Sequence, residues 1–240
     1  MTRPLPVVAI DGPAGAGKST VTRQVAAELN FLVLDTGAIY RSVALAAKLA
    51  GVPYDDEREV SALAAGLAER EAIRFRAGEG ATQTVWLDNG DVSLAIRTQE
   101  MGDGASRVSA IAGVRAALLD LQRQVGRAGG VVVEGRDIGS VVFPDAEAKF
   151  FLTASVEVRA RRRLDELLAR GIATDFDSVA REVRERDERD CNRAVAPLIQ
   201  PADARLVDSS GLTLDEVVTS IVAQVRELMQ GMAHRLVSQG

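Results

Sequence analysis

The stretch from Val7 to Leu34 constrains the fold most. Val7-Val8-Ala9-Ile10 is a continuous apolar run of the kind found in buried parallel strands, and Asp11, Gly12 and Pro13 end it. Gly12-Pro13-Ala14-Gly15-Ala16-Gly17-Lys18-Ser19 then fits the pattern G-x-x-x-x-G-K-[ST]. Val21, Val25, Ala26 and Leu29 follow at helical spacing, Asn30 is a stop signal, and Phe31 to Leu34 is a second strand. Strand, glycine-rich loop, helix and strand open a βαβ unit, so a parallel α/β domain is expected. The loop chemistry follows from its spacing. Glycines let consecutive N–H groups curl around a phosphate at a helix N-terminus, where the helix dipole adds positive charge. Lys18 supplies a mobile charge for the outer phosphate oxygens, and the Ser19 hydroxyl is a magnesium ligand. Gly12, Pro13, Ala14, Gly15, Ala16, Gly17, Lys18, Ser19 and Thr20 are therefore the candidate nucleotide-binding residues.

Further along, 38–50 and 55–71 read as helices. Ile73-Arg74-Phe75-Arg76 and Thr84-Val85-Trp86-Leu87 alternate around Gly78 and Gly80, and Asp88-Asn89-Gly90 is a hairpin turn. Residues 70–95 are thus expected to form a small antiparallel insertion, with Trp86 in its core. Helical spacing returns from Gln99 to about Ala128 with a break near Gly113. Val131 to Val133 and Lys149 to Leu152 are strands. Ser155 caps a helix to Ala169, Phe176 to Arg193 is a charged helix, Arg205 to Val207 is a last strand, and Thr213 to Glu216 has capping-box spacing.

Composition removes several function classes. Cys191 and His234 are the only residues of their types, which excludes an intrachain disulfide and multi-Cys/His zinc sites and leaves little basis for His-dependent nucleophilic catalysis. Cys191 itself reads as a buried or idle thiol. No apolar run is long enough for a membrane span, and Met1 to Pro6 lacks a signal-like segment, so a cytoplasmic location is expected. The net charge of −5 argues against a general nucleic-acid binder. Only Lys18, Lys48 and Lys149 are lysines among the 29 basic residues; the rest are arginines. Codon bias accounts for such a skew in general, but an arginine fork also binds planar anions in two-point fashion.

A phosphate loop alone does not separate a kinase from a switch or a motor. The acceptor side does. Asp35-Thr36-Gly37-Ala38-Ile39-Tyr40-Arg41 lies at the end of the second strand, where ligands meet a parallel sheet, and offers carboxylate, hydroxyl and guanidinium groups to a second anionic substrate. Together with Ile96-Arg97-Thr98-Gln99-Glu100, Glu134-Gly135-Arg136-Asp137-Ile138-Gly139, Val142-Phe143-Pro144-Asp145-Ala146 and Asn192-Arg193-Ala194-Val195-Ala196-Pro197-Leu198, it closely resembles the bacterial cytidylate kinases, in the same order. The insertion at 70–95 resembles the nucleotide-monophosphate-binding region of the bacterial type.

The resemblance implies a P-loop kinase fold in one domain over 1–240: a five-stranded parallel sheet flanked by helices, a small antiparallel insertion, and a helical lid at 155–195. It implies ATP with magnesium as donor, CMP or dCMP as acceptor, a monomer, and neither nucleic-acid nor membrane partners. Arg41 and Arg136 match the residues that hold the acceptor phosphate. Ser106, Arg115 and Asp137 match those that read cytosine, Arg186 and Asp190 the pair near the sugar, and Arg193 an arginine beside the transferring phosphoryl group. Arg97 belongs to the acceptor wall with Asp35, Thr36 and Tyr40. Lys18, Arg136 and Arg193 are the expected catalytic residues. Apart from the resemblance, Arg159, Arg161, Arg162 and Arg163 lie on the helix after the Leu152 strand, where spacing puts Arg159 and Arg163, or Arg159 and Arg162, on one face; one or two of these could close over ATP, with Arg163 as the named candidate. The block from Arg159 to Arg193 holds ten arginines and nine acids, which suits a balanced, ion-paired lid with few apolar anchors.

Overall fold

The computed structural model describes residues 3–77 and 83–237, which divide into two compact units. Gly78 and Gly80, the expected centre of the first hairpin, lie outside the described residues. The first unit takes in 3–34, 128–192 and 197–237, and the second 35–127 and 193–196.

The first unit is built on a five-stranded parallel sheet in the order β2-β6-β1-β7-β8, with β1 at Val7–Asp11, β2 at Leu32–Asp35, β6 at Val131–Gly135, β7 at Ala148–Thr153 and β8 at Arg205–Asp208. Strand β1 is central and wholly buried, which is why its sequence is apolar without alternation. It pairs Val7 to Asp11 with Val131 to Gly135 on one side and Val8 to Asp11 with Ala148 to Phe151 on the other. Helix α1, Lys18–Leu29, and helix α8, Leu214–Val237, pack on the sheet through Val21, Val25, Val217, Ile221 and Val225. Asn30 ends α1 in the left-handed conformation, φ 55°, as its place in the sequence suggests. The Thr213–Glu216 capping box forms in both directions. Among the described residues no helix is long and apolar enough to cross a membrane.

Helices α6, Val156–Ala169, and α7, Phe176–Cys191, fill the region expected to be a lid. They are better anchored than their charge suggests. Ala160, Leu164 and Leu167 of α6 pack on Val179, Ala180 and Val183 of α7 in a small apolar core of their own. Cys191 is exposed at the end of α7, not buried.

The second unit holds α2, Thr36–Leu49; α3, Glu57–Glu69; α4, Gln99–Val108; and α5, Ala112–Val125. Its strands β3, Ile73–Ala77, β4, Gln83–Leu87, and β5, Gly90–Asp91, form the expected antiparallel sheet. Two expectations fail here. Trp86 is only half-buried; the neighbouring Val85 points to the core with Ala38 and Ile96, and strand alternation turns Trp86 to the other face, under the Arg76 guanidinium at 4.1 Å. The helical break falls at 109–111, and Gly113 lies inside α5. A Cβ there would sit 2.4 Å from Ser61 Oγ, so Gly113 serves the close approach of α5 to α3 instead of ending a helix.

Candidate functional site

In the first unit the phosphate loop joins the end of β1 to α1. Gly12 has φ 151°, and a Cβ on it would lie 1.9 Å from the Leu152 carbonyl oxygen, so only glycine admits the approach of loop to β7. Helix α1 starts at Lys18 itself, and its first N–H groups face the loop. The Lys18 ammonium donates to the Pro13 carbonyl at 2.7 Å. Burial and the nearby Arg136 hold its pKa well below the usual lysine value, with Glu134 and Asp190 pulling it back and Arg186 adding to the depression. Three cations, Lys18, Arg136 and Arg186, thus stand together here with the carboxylates of Glu134 and Asp190. The Ser19 hydroxyl donates to Glu134 Oε2 at 2.9 Å, which turns its lone pairs away from that carboxylate.

Arg136 follows β6 and donates from Nε to Asp190 Oδ2 at 2.8 Å, with Asp190 buried. Burial opposes the guanidinium charge, but Asp190 and Glu134 outweigh it and raise its pKa. Arg136, Asp137, Arg186 and Asp190 are thus all in the unit that carries the loop. Arg159 of α6 turns inward. It is 4% exposed, forms a two-point bond to Asp187 at 3.1 and 2.6 Å, and donates to the carbonyls of Ala154 and Ala14, the latter in the phosphate loop. Arg162 bonds the Ser209 carbonyl and hydroxyl, and Arg161 covers the Phe176 ring at 4.8 Å. Arg163 pairs with Glu166 at 2.8 Å on the partly exposed side of α6.

In the second unit Asp35 accepts the Ala38 N–H at 3.1 Å as the cap of α2. The same carboxylate gathers Arg97 at 3.1 Å and Arg41 at 3.9 Å. Thr36 and Ser106 are buried beside these elements. Arg115 lies over the Tyr40 ring at 5.5 Å and donates to the Ser109 carbonyl at 3.2 Å, while Arg193 reaches the Ser109 hydroxyl at 3.3 Å. Ser109 thus organises two of the expected arginines, and sequence reasoning missed it. Gln122, also missed, is 1% exposed and extends its amide to the Tyr40 hydroxyl at 3.5 Å. Its helical spacing among apolar residues of α5 was the only available signal.

The family model described as cytidylate kinase matches residues 8–227, a span that includes the phosphate loop and both groups of arginines in the second unit. A cytidylate kinase of Desulforamulus reducens is 50% identical over 221 residues, covering 92% of this chain and 96% of that protein. Those of Syntrophotalea carbinolica and Bordetella pertussis are 49% and 46% identical, covering 93% and 90% of this chain and 93% of each relative. Identity at this level over almost the whole length, in a parallel α/β fold that opens on a phosphate loop, leads to one conclusion: the chain belongs to the cytidylate kinase family, ATP-dependent kinases of nucleoside monophosphates.

Proposed function

We propose that this chain transfers the γ-phosphoryl group of ATP to CMP or dCMP, releasing ADP and CDP or dCDP. An acceptor-phosphate oxygen attacks the γ-phosphorus in line as its bond to the β-phosphate bridging oxygen breaks. The observation that carries this reading is the family match over 8–227, with relatives that bear the name cytidylate kinase along more than nine-tenths of their own length.

Each residue then takes a role suited to its chemistry. The N–H groups from Gly12 to Thr20 and the Lys18 ammonium hold the donor phosphates, with Arg163 reaching the nucleotide from α6. Arg41, Arg97 and Arg136 neutralise the acceptor phosphate. Ser106, Arg115 and Asp137 read cytosine, Arg186 and Asp190 face the sugar, and Asp35, Thr36 and Tyr40 complete the acceptor wall. Arg193 offsets charge on the transferring group. Phosphoryl transfer depends on positioning and charge neutralisation, so no histidine base is needed. The Ser19 hydroxyl, oriented by Glu134, suits magnesium, a hard cation that takes oxygen ligands and few protein ones. When bound with ATP, the ion would withdraw charge from the phosphoryl oxygens. The family match runs through both units and supports treating 1–240 as one working domain, with 70–95 as the acceptor-side insertion and 155–195 as the lid. We take it to act as a monomer in the cytoplasm.

A coupled ADP-release assay with CMP, dCMP, UMP, AMP and shikimate tests the reading. CMP and dCMP should exceed the other acceptors in kcat/KM, and Lys18→Ala should abolish transfer. Equal or better use of UMP, AMP or shikimate would overturn the assignment.

A further inference from the structure

We infer that Asp11 is a positioning residue: its carboxylate holds the turn that follows Arg136 and Asp137, and thereby sets the grip on the acceptor nucleotide. The inference rests on the function proposed above. Asp11 is the last residue of β1 and is 2% exposed. Its two oxygens accept the N–H of Ile138 at 2.8 Å and of Gly139 at 2.7 Å. These residues open a π-helical turn, Ile138–Val142, whose own preceding residue, Asp137, provides no side-chain cap. The cap comes from 127 positions away. Two N–H groups side by side call for two acceptor oxygens, which a carboxylate has and an asparagine amide lacks.

Lys149 also lies against this turn. A Cβ on Gly139 would lie 3.1 Å from Lys149 Cδ and 3.4 Å from Asp11 Oδ2, so the lysine stem and the carboxylate both pack where a side chain at 139 would go. Lys149 is itself tied down, donating to the Pro144 carbonyl at 2.7 Å and to Asp203 at 2.6 Å. The backbone of Asp11 is held separately, paired with Gly135 and Phe151 in the sheet. Loss of the carboxylate therefore leaves the entrance of the phosphate loop anchored while freeing the segment behind Arg136. Burying this charge close to Asp137, with Lys18 as the compensating cation, is unfavourable for stability, as expected of a group retained for function.

Asp11→Asn and Gly139→Ala disturb the same turn by different means, loss of an acceptor and crowding against Lys149 and Asp11, and the second remains informative if the first folds poorly. In each, kcat/KM for CMP should fall about 100-fold, the scale of a slight misplacement of a binding group, while KM for ATP stays within about twofold. Amide exchange at Ile138 and Gly139 should accelerate in Asp11→Asn. Equal losses toward ATP and CMP, unchanged kinetics, or unchanged exchange would each overturn the inference. A wild-type chain unable to phosphorylate CMP would sink the functional reading alone, because the exchange rates still decide whether Asp11 holds the turn.

Discussion

Burial pushes the Asp11 carboxyl up to about 6 from an ordinary 3.8, although the N–H groups of Gly139 and Ile138 and the charge of Lys18 oppose the rise. The folded chain therefore keeps this proton over a range in which the unfolded chain has released it. Stability contributed at Asp11 must fall as pH rises from about 4 to about 6 and then level off, by up to about 3 kcal/mol in all. Asp11→Asn lacks this dependence. Unfolding free energies of the two proteins, measured by denaturant titration at pH 4.5 and 7.5, should shift in favour of wild type at the lower pH; a difference independent of pH would refute the shift. Sequence reading saw Asp11 only as the residue that stops a strand, since nothing local signals a partner so far along the chain. Lys18 was legible because the loop pattern is local, and its depressed pKa was not, because its burial is a product of the fold and Arg136 and Arg186 come from just beyond β6 and from α7.

Two arginines of α6 look alike in sequence, but their ion pairs, one to α7 and one within α6, differ in consequence. Arg159 and Asp187 have side-chain exposures of 5% and 21%, whereas Arg163 and Glu166 have 28% and 55%. Asp187→Ala strands a buried guanidinium and should destabilise the chain by about 2–4 kcal/mol, near the range for breaking a buried pair. Glu166→Ala should change stability by less than about 1 kcal/mol, as exposed pairs do. Equal losses in chemical denaturation would show that burial does not separate the pairs. Helix periodicity put Arg159 and Arg163 on one face, but periodicity cannot say where that face turns inward, and here the phosphate-loop carbonyl of Ala14 receives Arg159. The same limit explains Trp86 and Gly113: pattern identified the strand and the helix, while the facing of Val85 into a core and the approach of α3 to α5 set their roles.

For the molecule as a whole, the proposed substrates are also stabilising ligands. A ligand at about 100 times its Kd adds about 2.7 kcal/mol, which for a chain of this size raises Tm by roughly 5–10 °C. ATP with magnesium and CMP should each produce such a shift in a thermal melt, and AMP as acceptor should not; equal shifts from CMP and AMP would contradict cytosine recognition. Local pattern along the chain was enough for the parallel α/β class, the phosphate loop, the antiparallel insertion and the family, because strand runs, turn signals and a loop built around one of only three lysines need no distant partner. It also marked out which of its many arginines to follow. How they are held came with folding: Asp35 gathering Arg41 and Arg97, Ser109 joining Arg115 to Arg193, Asp190 meeting Arg136, and Asp11 capping the turn beyond β6. The difference is one of range. Hydrogen bonds act over about 3 Å in space, and folding brings together partners that stand 54, 84 and 127 positions apart in the chain.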